Sequence, residues 1–315
     1  MSLKNRYSTP PRLDESKFGV LSLPQYVWMK VKLMVIPRTL PLKRIIGDSA
    51  FRFLADYFPE PELQQVLGTS VSVYSTWARK ENLPITIEEL EDGGGGAYIF
   101  AVQIFTISFW RFIQLQLEKR GLKVGIAIMS YSLVPVSQFP TPLWQTSRAL
   151  QHLLSVEKVK PSNLVLVGDS AGGNLVSQVL SSMLHPLFDP PIIPNGTRLR
   201  GAYMMSPWIS LTGVYTGEDS TNTQLLPSFT ENNHCDVVGR DALLSWGKTV
   251  LEGAPNPTTT DYPYLEPINA PITARRRVHN DPFFDFQVAD GPLGGKRQSL
   301  TPKILEWVWK CFEEK

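Results

Sequence analysis

Asn163-Leu-Val-Leu-Val-Gly-Asp-Ser-Ala-Gly-Gly-Asn-Leu175 is the stretch whose reading decides the fold. An apolar run, Leu164 to Val167, enters a glycine-flanked serine, and a helix-compatible run, Leu175 to Leu184, leaves it. Gly168, Ser170 and Gly172 therefore form G-x-S-x-G between a strand and a helix. The spacing has a steric reason. A sharp strand-to-helix turn drives its central residue into a strained backbone region, and small neighbours let the chain pass. The Ser170 hydroxyl then stands exposed above the strand, as a candidate nucleophile. The N–H of Ala171, which opens the helix, points to where an oxyanion would form. G-x-S-x-G by itself occurs by chance in many chains; the strand before it and the helix after it make it specific.

The elements around this stretch extend the pattern. Val124 to Tyr131 reads as a buried-type strand, Leu143 to Leu154 as a helix, and Arg200 to Met205 as a strand that ends in Ser206-Pro207-Trp208. Strand, helix, strand, helix, strand from 124 to 205 predicts an α/β fold with a mostly parallel, doubly wound sheet. Ligands of such sheets bind at the carboxyl ends of the strands, where Ser170 falls.

Upstream, residues 1–19 are polar and loose, and Leu23 to Ala78 is helical in pattern, punctuated by Pro59 and Pro61. This predicts an N-terminal helical cap region over 1–85 and a catalytic core over 86–315. Leu83 to Leu90 alternates as a strand. Downstream, residues 209–265 are rich in Thr, Asn, Gly and Pro, with one helical run near Asp241 to Leu251, and read as an inserted loop-and-helix segment. Thr301 to Phe312 reads as a C-terminal helix, with Pro302 in its first turn and Leu305, Trp309 and Phe312 at helical spacing.

Glu91-Asp-Gly-Gly-Gly-Gly-Ala-Tyr98 precedes a helical run, Ala101 to Arg120. Its backbone N–H groups can approach a ligand closely, which makes Gly95, Gly96 and Ala97 candidates to complete an oxyanion hole with Ala171. The competing reading is a flexible glycine linker.

Composition bounds the remaining choices. A chain of 315 residues suits one large α/β domain with a cap. A net charge of +2 and the absence of a long basic run exclude a nucleic-acid footprint. Two cysteines, Cys235 and Cys311, make no disulfide framework and lack metal-ligand spacing. No apolar signal-peptide core follows the N-terminus, and no run reaches transmembrane length, so a cytoplasmic protein is expected. Val20 to Leu40 is amphipathic. It reads as a cap helix, with membrane-surface contact as the alternative.

Several blocks together resemble the hormone-sensitive-lipase-type group of α/β-hydrolases, in particular its fungal esterase branch. Gly168-Asp-Ser-Ala-Gly-Gly173 is similar to that family's nucleophile block. Tyr131-Ser-Leu-Val-Pro135 resembles its Y-R-L-A-P block with Ser132 in place of Arg, and Phe139-Pro140 resembles the F-P that follows. Gly95-Gly96-Ala97-Tyr98 resembles the H-G-G-G-aromatic oxyanion motif, with Gly94 where the family has His. Ser206-Pro207-Trp208 and Pro263-Tyr-Leu-Glu-Pro267 match fungal members, and His279-Asn-Asp-Pro-Phe283 resembles their H-D-D-P-F catalytic-histidine block.

The resemblance implies an α/β-hydrolase fold and a serine carboxylic-ester hydrolase acting on short-chain acyl or acetyl esters, or tailoring a small metabolite. Ser170 would be the nucleophile and His279 its base, with no cofactor and no metal. The family also carries a strand and a G-x-x-D loop about thirty residues before that histidine. Here only Ile268 to Val278 separate Pro267 from His279, and this stretch holds no carboxylate. The triad acid is therefore unassigned. Asp236, Asp241, Asp261 and Glu266 have the right order but belong to other segments, and Asp281 stands too close to His279. His152, His185 and His234 read as structural. The gap fits a splice variant, an altered gene model or a natural pseudoenzyme. The rivals to an ester hydrolase are an impaired, ligand-binding member of the fold and a truncated product. Hydrolysis and acyl transfer to an alcohol are not separated by the residues, nor is the oligomeric state.

Overall fold

A strand persists only where its N–H and C=O groups find ladder partners. In the computed structural model the elbow strand finds one. The structure describes residues 42–88, 90, 99, 101–134, 137–189, 191–216, 223–231, 233, 236–252, 262–269 and 301–313. The helices are α1 (Leu42–Tyr57), α2 (Glu60–Leu67), α3 (Ser70–Lys80), α4 (Ile104–Lys119), α5 (Thr141–Ser155), α6 (Ala171–Leu184), α7 (Pro227–Glu231), α8 (Arg240–Leu251), α9 (Tyr262–Leu265) and α10 (Thr301–Glu313). The strands are β1 (Val165–Asp169), β2 (Gly201–Met205), β3 (Val214–Thr216) and β4 (Thr223–Leu225).

β1 and β2 are parallel, in register from Val165 opposite Gly201 to Asp169 opposite Met205. The chain crosses from one to the other through α6, the helical connection that a parallel pair requires. β3 and β4 form a separate antiparallel hairpin in the insertion.

The two faces of the parallel pair follow the period of two. Tyr203 and Met205 point to one side, where α4 and α10 pack: Phe109, Ile113 and Leu117 meet Ile304 and Val308. Gly201 belongs to this face, since a Cβ there would lie 3.6 Å from both the Trp307 ring and Cys311 Sγ. Leu164 and Leu166 point to the other side, into the main core with Leu143 and Leu150 of α5, Leu175 and Val179 of α6, and Trp246 and Val250 of α8. Helices therefore cover both faces of the sheet, the layering of an α/β fold.

The first helices are tied to the insertion. Arg52 of α1 donates to the Asn233 carbonyl, to the Asp236 carbonyl at 3.1 Å and to Asn233 Oδ1 at 3.2 Å. Thr249 of α8 donates to Glu60 Oε1 at 2.9 Å. α3 packs on α4 through Trp77, Ala78 and Ile107.

Two expected strands do not form. Residues 83–88 run without ladder bonds, and so do residues 123–133. Ile126 and Ile128 stand 41% and 39% exposed. Both runs have strand composition, but composition supplies no partner, and among the described residues neither has one. The helical reading of residues 23–41 lies outside the described residues. The other predicted helices recur with shifted ends. α6 starts at Ala171, directly after the serine and ahead of the expected Leu175, because the motif glycines are helical here.

Candidate active site

Ser170 joins the end of β1 to the start of α6 with φ 53° and ψ −114°. Positive φ is costly for a residue with a side chain, about 1–3 kcal/mol, and persists only where surrounding bonds over-determine it. They do so here. The Ser170 N–H donates to the Met205 carbonyl at 2.9 Å. The Ser170 carbonyl accepts from Trp208 N at 3.0 Å and from Asn174 N at 3.1 Å. The serine is thus held by the end of β2, by the loop after it and by the first turn of α6.

The glycines divide in a way that the motif does not reveal. A Cβ on Gly168 would lie 2.2 Å from the Gly172 carbonyl oxygen, so no side chain fits. A Cβ on Gly173 would lie 2.9 Å from Pro207 Cβ, so this glycine lets the helix approach the Ser206-Pro207-Trp208 loop. A Cβ on Gly172 meets nothing within 4 Å. The steric demand expected of the two motif glycines falls on Gly168 and Gly173.

Ala171 is the first residue of α6, where backbone N–H groups have no intrahelical acceptor and carry the positive end of the helix dipole. An oxyanion beside Ser170 would find that donor. Gly95, Gly96, Ala97 and His279 lie outside the described residues, as do His234, Asp261 and Asp281.

The described carboxylates each have other work. Asp236 Oδ1 accepts the Val238 N–H at 3.3 Å. Asp241 is exposed and pairs with Arg240 at 3.0 Å. Glu266 is fully buried and accepts the Thr212 N–H at 2.6 Å. Burial pushes the Glu266 carboxyl above its ordinary pKa, and hydrogen bonds from Thr212, Ser210 and the Leu211 backbone only partly offset this. The two described histidines stand apart from the chemistry assigned to the serine. His185 follows α6 and its carbonyl accepts from the Tyr264 hydroxyl. His152 of α5 faces Glu88 and Glu157.

Asn174 was not legible as a site residue. It is 0% exposed, and its Nδ2 donates to the Trp208 carbonyl at 2.7 Å and to the Leu265 carbonyl at 3.1 Å. Its Oδ1 accepts from Gln178 Nε2 at 2.7 Å. One amide therefore binds the elbow helix to the loop after β2 and to α9. The available signal was an asparagine inside an apolar helical run, where asparagine has no intrinsic advantage.

No helix among the described residues is long and apolar enough to cross a membrane. No curated protein matches the chain. Among solved structures, it is similar to an esterase from the bacterial hormone-sensitive lipase family, with 18% identity over 91% of this chain and 97% of that one and a TM-score of 0.50. It is also similar to a hormone-sensitive lipase from a metagenome library, with 17% identity over 78% of this chain and 72% of that one and a TM-score of 0.43. The family model described as alpha/beta hydrolase fold matches residues 95–279, from the glycine run to the downstream histidine and across the whole elbow. The chain belongs to the alpha/beta hydrolase fold family, the hydrolase class that its serine elbow predicts.

Proposed function

We propose that the chain is a serine carboxylic-ester hydrolase that works through an acyl-Ser170 intermediate, on short-chain acyl or acetyl esters of small molecules. The observation that carries this reading is the Ser170 backbone, strained at φ 53° and held by three hydrogen bonds between a strand end and a helix start. A serine that only caps a helix has no need of that geometry.

In this mechanism Ser170 Oγ attacks the ester carbonyl carbon while His279 takes its proton. The oxyanion that forms receives hydrogen bonds from the Ala171 N–H and from Gly95, Gly96 or Ala97. His279 returns the proton to the leaving alkoxide as the C–O bond breaks. Water then attacks the acyl-enzyme with His279 again as base, and the acid and free Ser170 are released. The helices of residues 42–80 and the 209–265 insertion form the walls of the acyl and alcohol pockets. No metal or cofactor enters these steps. The N-terminal segment is proposed as part of the cap that covers the site.

The test is a fluorophosphonate label, which reports an activated serine without knowledge of the substrate. Labelling is expected in the native chain and lost in Ser170→Ala and His279→Ala. Folded protein that takes no label would overturn the hydrolase reading and favour a ligand-binding member of the same family.

A further inference from the structure

A second constellation lies on α5. His152 Nε2 is 2.8 Å from Glu88 Oε1 and 3.8 Å from Glu157 Oε1. All three potential ligand atoms lie within 4.8 Å of one another. We propose that Glu88, His152 and Glu157 form a binding site for a borderline divalent cation such as Zn2+, which clamps the segment ahead of the glycine run to the last turn of α5.

Ligand chemistry is the first argument. One imidazole with two carboxylates suits Zn2+ and its neighbours in the first transition row better than Ca2+ or Mg2+, which prefer all-oxygen shells. Geometry is the second. Bonds of ~2.0 Å at tetrahedral angles put neighbouring ligand atoms ~3.3 Å apart. The two distances from Nε2 bracket that value, so shifts of about half an ångström bring both oxygens to it.

The state of the imidazole nitrogen is the third argument. Nε2 is shut off from solvent, yet it makes no hydrogen bond. Glu88 Oε1 at 2.8 Å is near enough for one, so the oxygen lies to the side of the nitrogen's bonding axis. An acceptor sits on that axis, whereas a co-ligand of a shared metal sits beside it, with the ion on the axis. Charge is the fourth. A protonated imidazole could neutralise only one of the two carboxylates, whereas a divalent cation neutralises both.

The backbone prepares two of the ligands. The Glu157 and Val156 N–H groups both donate to the His152 carbonyl, at 3.2 and 2.8 Å, so the end of α5 turns Glu157 back beside His152. Glu88 comes from a distant part of the chain. Two residues before it, the Thr86 N–H donates to the Tyr74 hydroxyl at 3.4 Å, which anchors that segment to α3. Glu88 and Glu157 are 57% and 52% exposed on their side chains, which leaves a face open for water as the remaining ligand.

The experiment is a calorimetric titration of the full chain with Zn2+, repeated on Glu88→Gln, Glu157→Gln and His152→Gln. The two glutamate sites are exposed, so those variants keep the fold, and circular dichroism checks it for His152→Gln. One Zn2+ per chain is expected, with affinity reduced at least tenfold in each glutamate variant and abolished in His152→Gln. Zn2+ should also raise the melting temperature of the native chain more than that of Glu88→Gln at the same metal concentration. Absence of Zn2+ uptake by the native chain would overturn the proposal. So would glutamate variants that bind as tightly as the native chain, because the metal would then rest on a lone histidine or on another group.

Discussion

Asn174→Ala tests whether the elbow depends on one buried amide. The substitution removes the donor from two carbonyls, Trp208 at 2.7 Å and Leu265 at 3.1 Å, at a position with no solvent access. A buried polar group stripped of its partner costs about 1–3 kcal/mol, so two carbonyls cost about 2–6 kcal/mol. Alanine returns at most about 0.7 kcal/mol through better helix propensity. The net loss expected is therefore ~1–5 kcal/mol. A domain of this size loses roughly 2 °C of melting temperature per kcal/mol, so differential scanning fluorimetry should show a fall of ~2–10 °C. The damage should also reach Ser170, because the Trp208 N–H that the same loop carries holds the Ser170 carbonyl at 3.0 Å. Fluorophosphonate labelling of folded Asn174→Ala should slow accordingly. Asn174→Asp keeps the size but offers only acceptors, and should be at least as unstable. Melting of Asn174→Ala within a degree of the native chain would refute the reasoning, since the two carbonyls would then have other partners.

The glycines separate cleanly in further tests. Gly168→Ala forces a Cβ to 2.2 Å from a backbone oxygen and should abolish soluble, labelled protein, whereas Gly172→Ala meets nothing within 4 Å and should keep its stability in thermal melts. Glu266 gives a pH signature: its raised pKa means that the folded state binds the proton more tightly, so its penalty is absent below the ordinary carboxylate pKa and complete above the raised one. Glu266→Gln keeps an acceptor for the Thr212 N–H, so urea midpoints of this variant relative to the native chain should rise as the pH climbs through and above the ordinary carboxylate range; a constant difference would contradict the assignment. Arg52→Ala removes the donors that hold residues 233 and 236 to α1, and should cost about 2 kcal/mol and raise hydrogen exchange in α1 more than in α6.

The elbow was legible because its constraints are local. A strained serine between strand and helix, with glycines around it, is a solution to a steric problem within a few residues, and the sequence states that problem directly. Helices α4, α5, α8 and α10 were legible for the same reason, since one apolar stripe and its ends define each. Strands are different. Val124 to Tyr131 has the composition of a buried strand, but a ladder needs a second chain segment, and 123–133 has none among the described residues. The buried polar groups were also out of reach. Nothing in Tyr-Leu-Glu-Pro indicates that Glu266 turns inward to Thr212, and nothing in Gly-Gly-Asn indicates which carbonyls Asn174 reaches. These bonds join segments up to 91 residues apart, a distance that periodicity does not span.

Building the elbow and activating it are separate problems in this chain. The bonds that shape Ser170 come from Met205, Trp208 and Asn174, so the turn is built by the end of β2, the loop that follows it and the first turn of α6. Activation needs a base, and a full triad also needs an acid between the serine and that base. Asp236, Asp241 and Glu266 are engaged with Val238, Arg240 and Thr212, and Glu266 is pushed toward its neutral form, which is the wrong state for stabilising an imidazolium. Losing the acid of a serine triad lowers turnover about 10⁴-fold, while the oxyanion donors and substrate binding alone still leave a residual enhancement of about 10³–10⁴ over water. With none of these three described carboxylates as its partner, the labelling rate is expected to depend on His279 more than on any of them. Asp236→Asn, Asp241→Asn and Glu266→Gln should each label at close to the native rate, while His279→Ala should not label. A carboxylate variant as silent as His279→Ala would identify the acid and refute the view that these three described carboxylates take no part in activation.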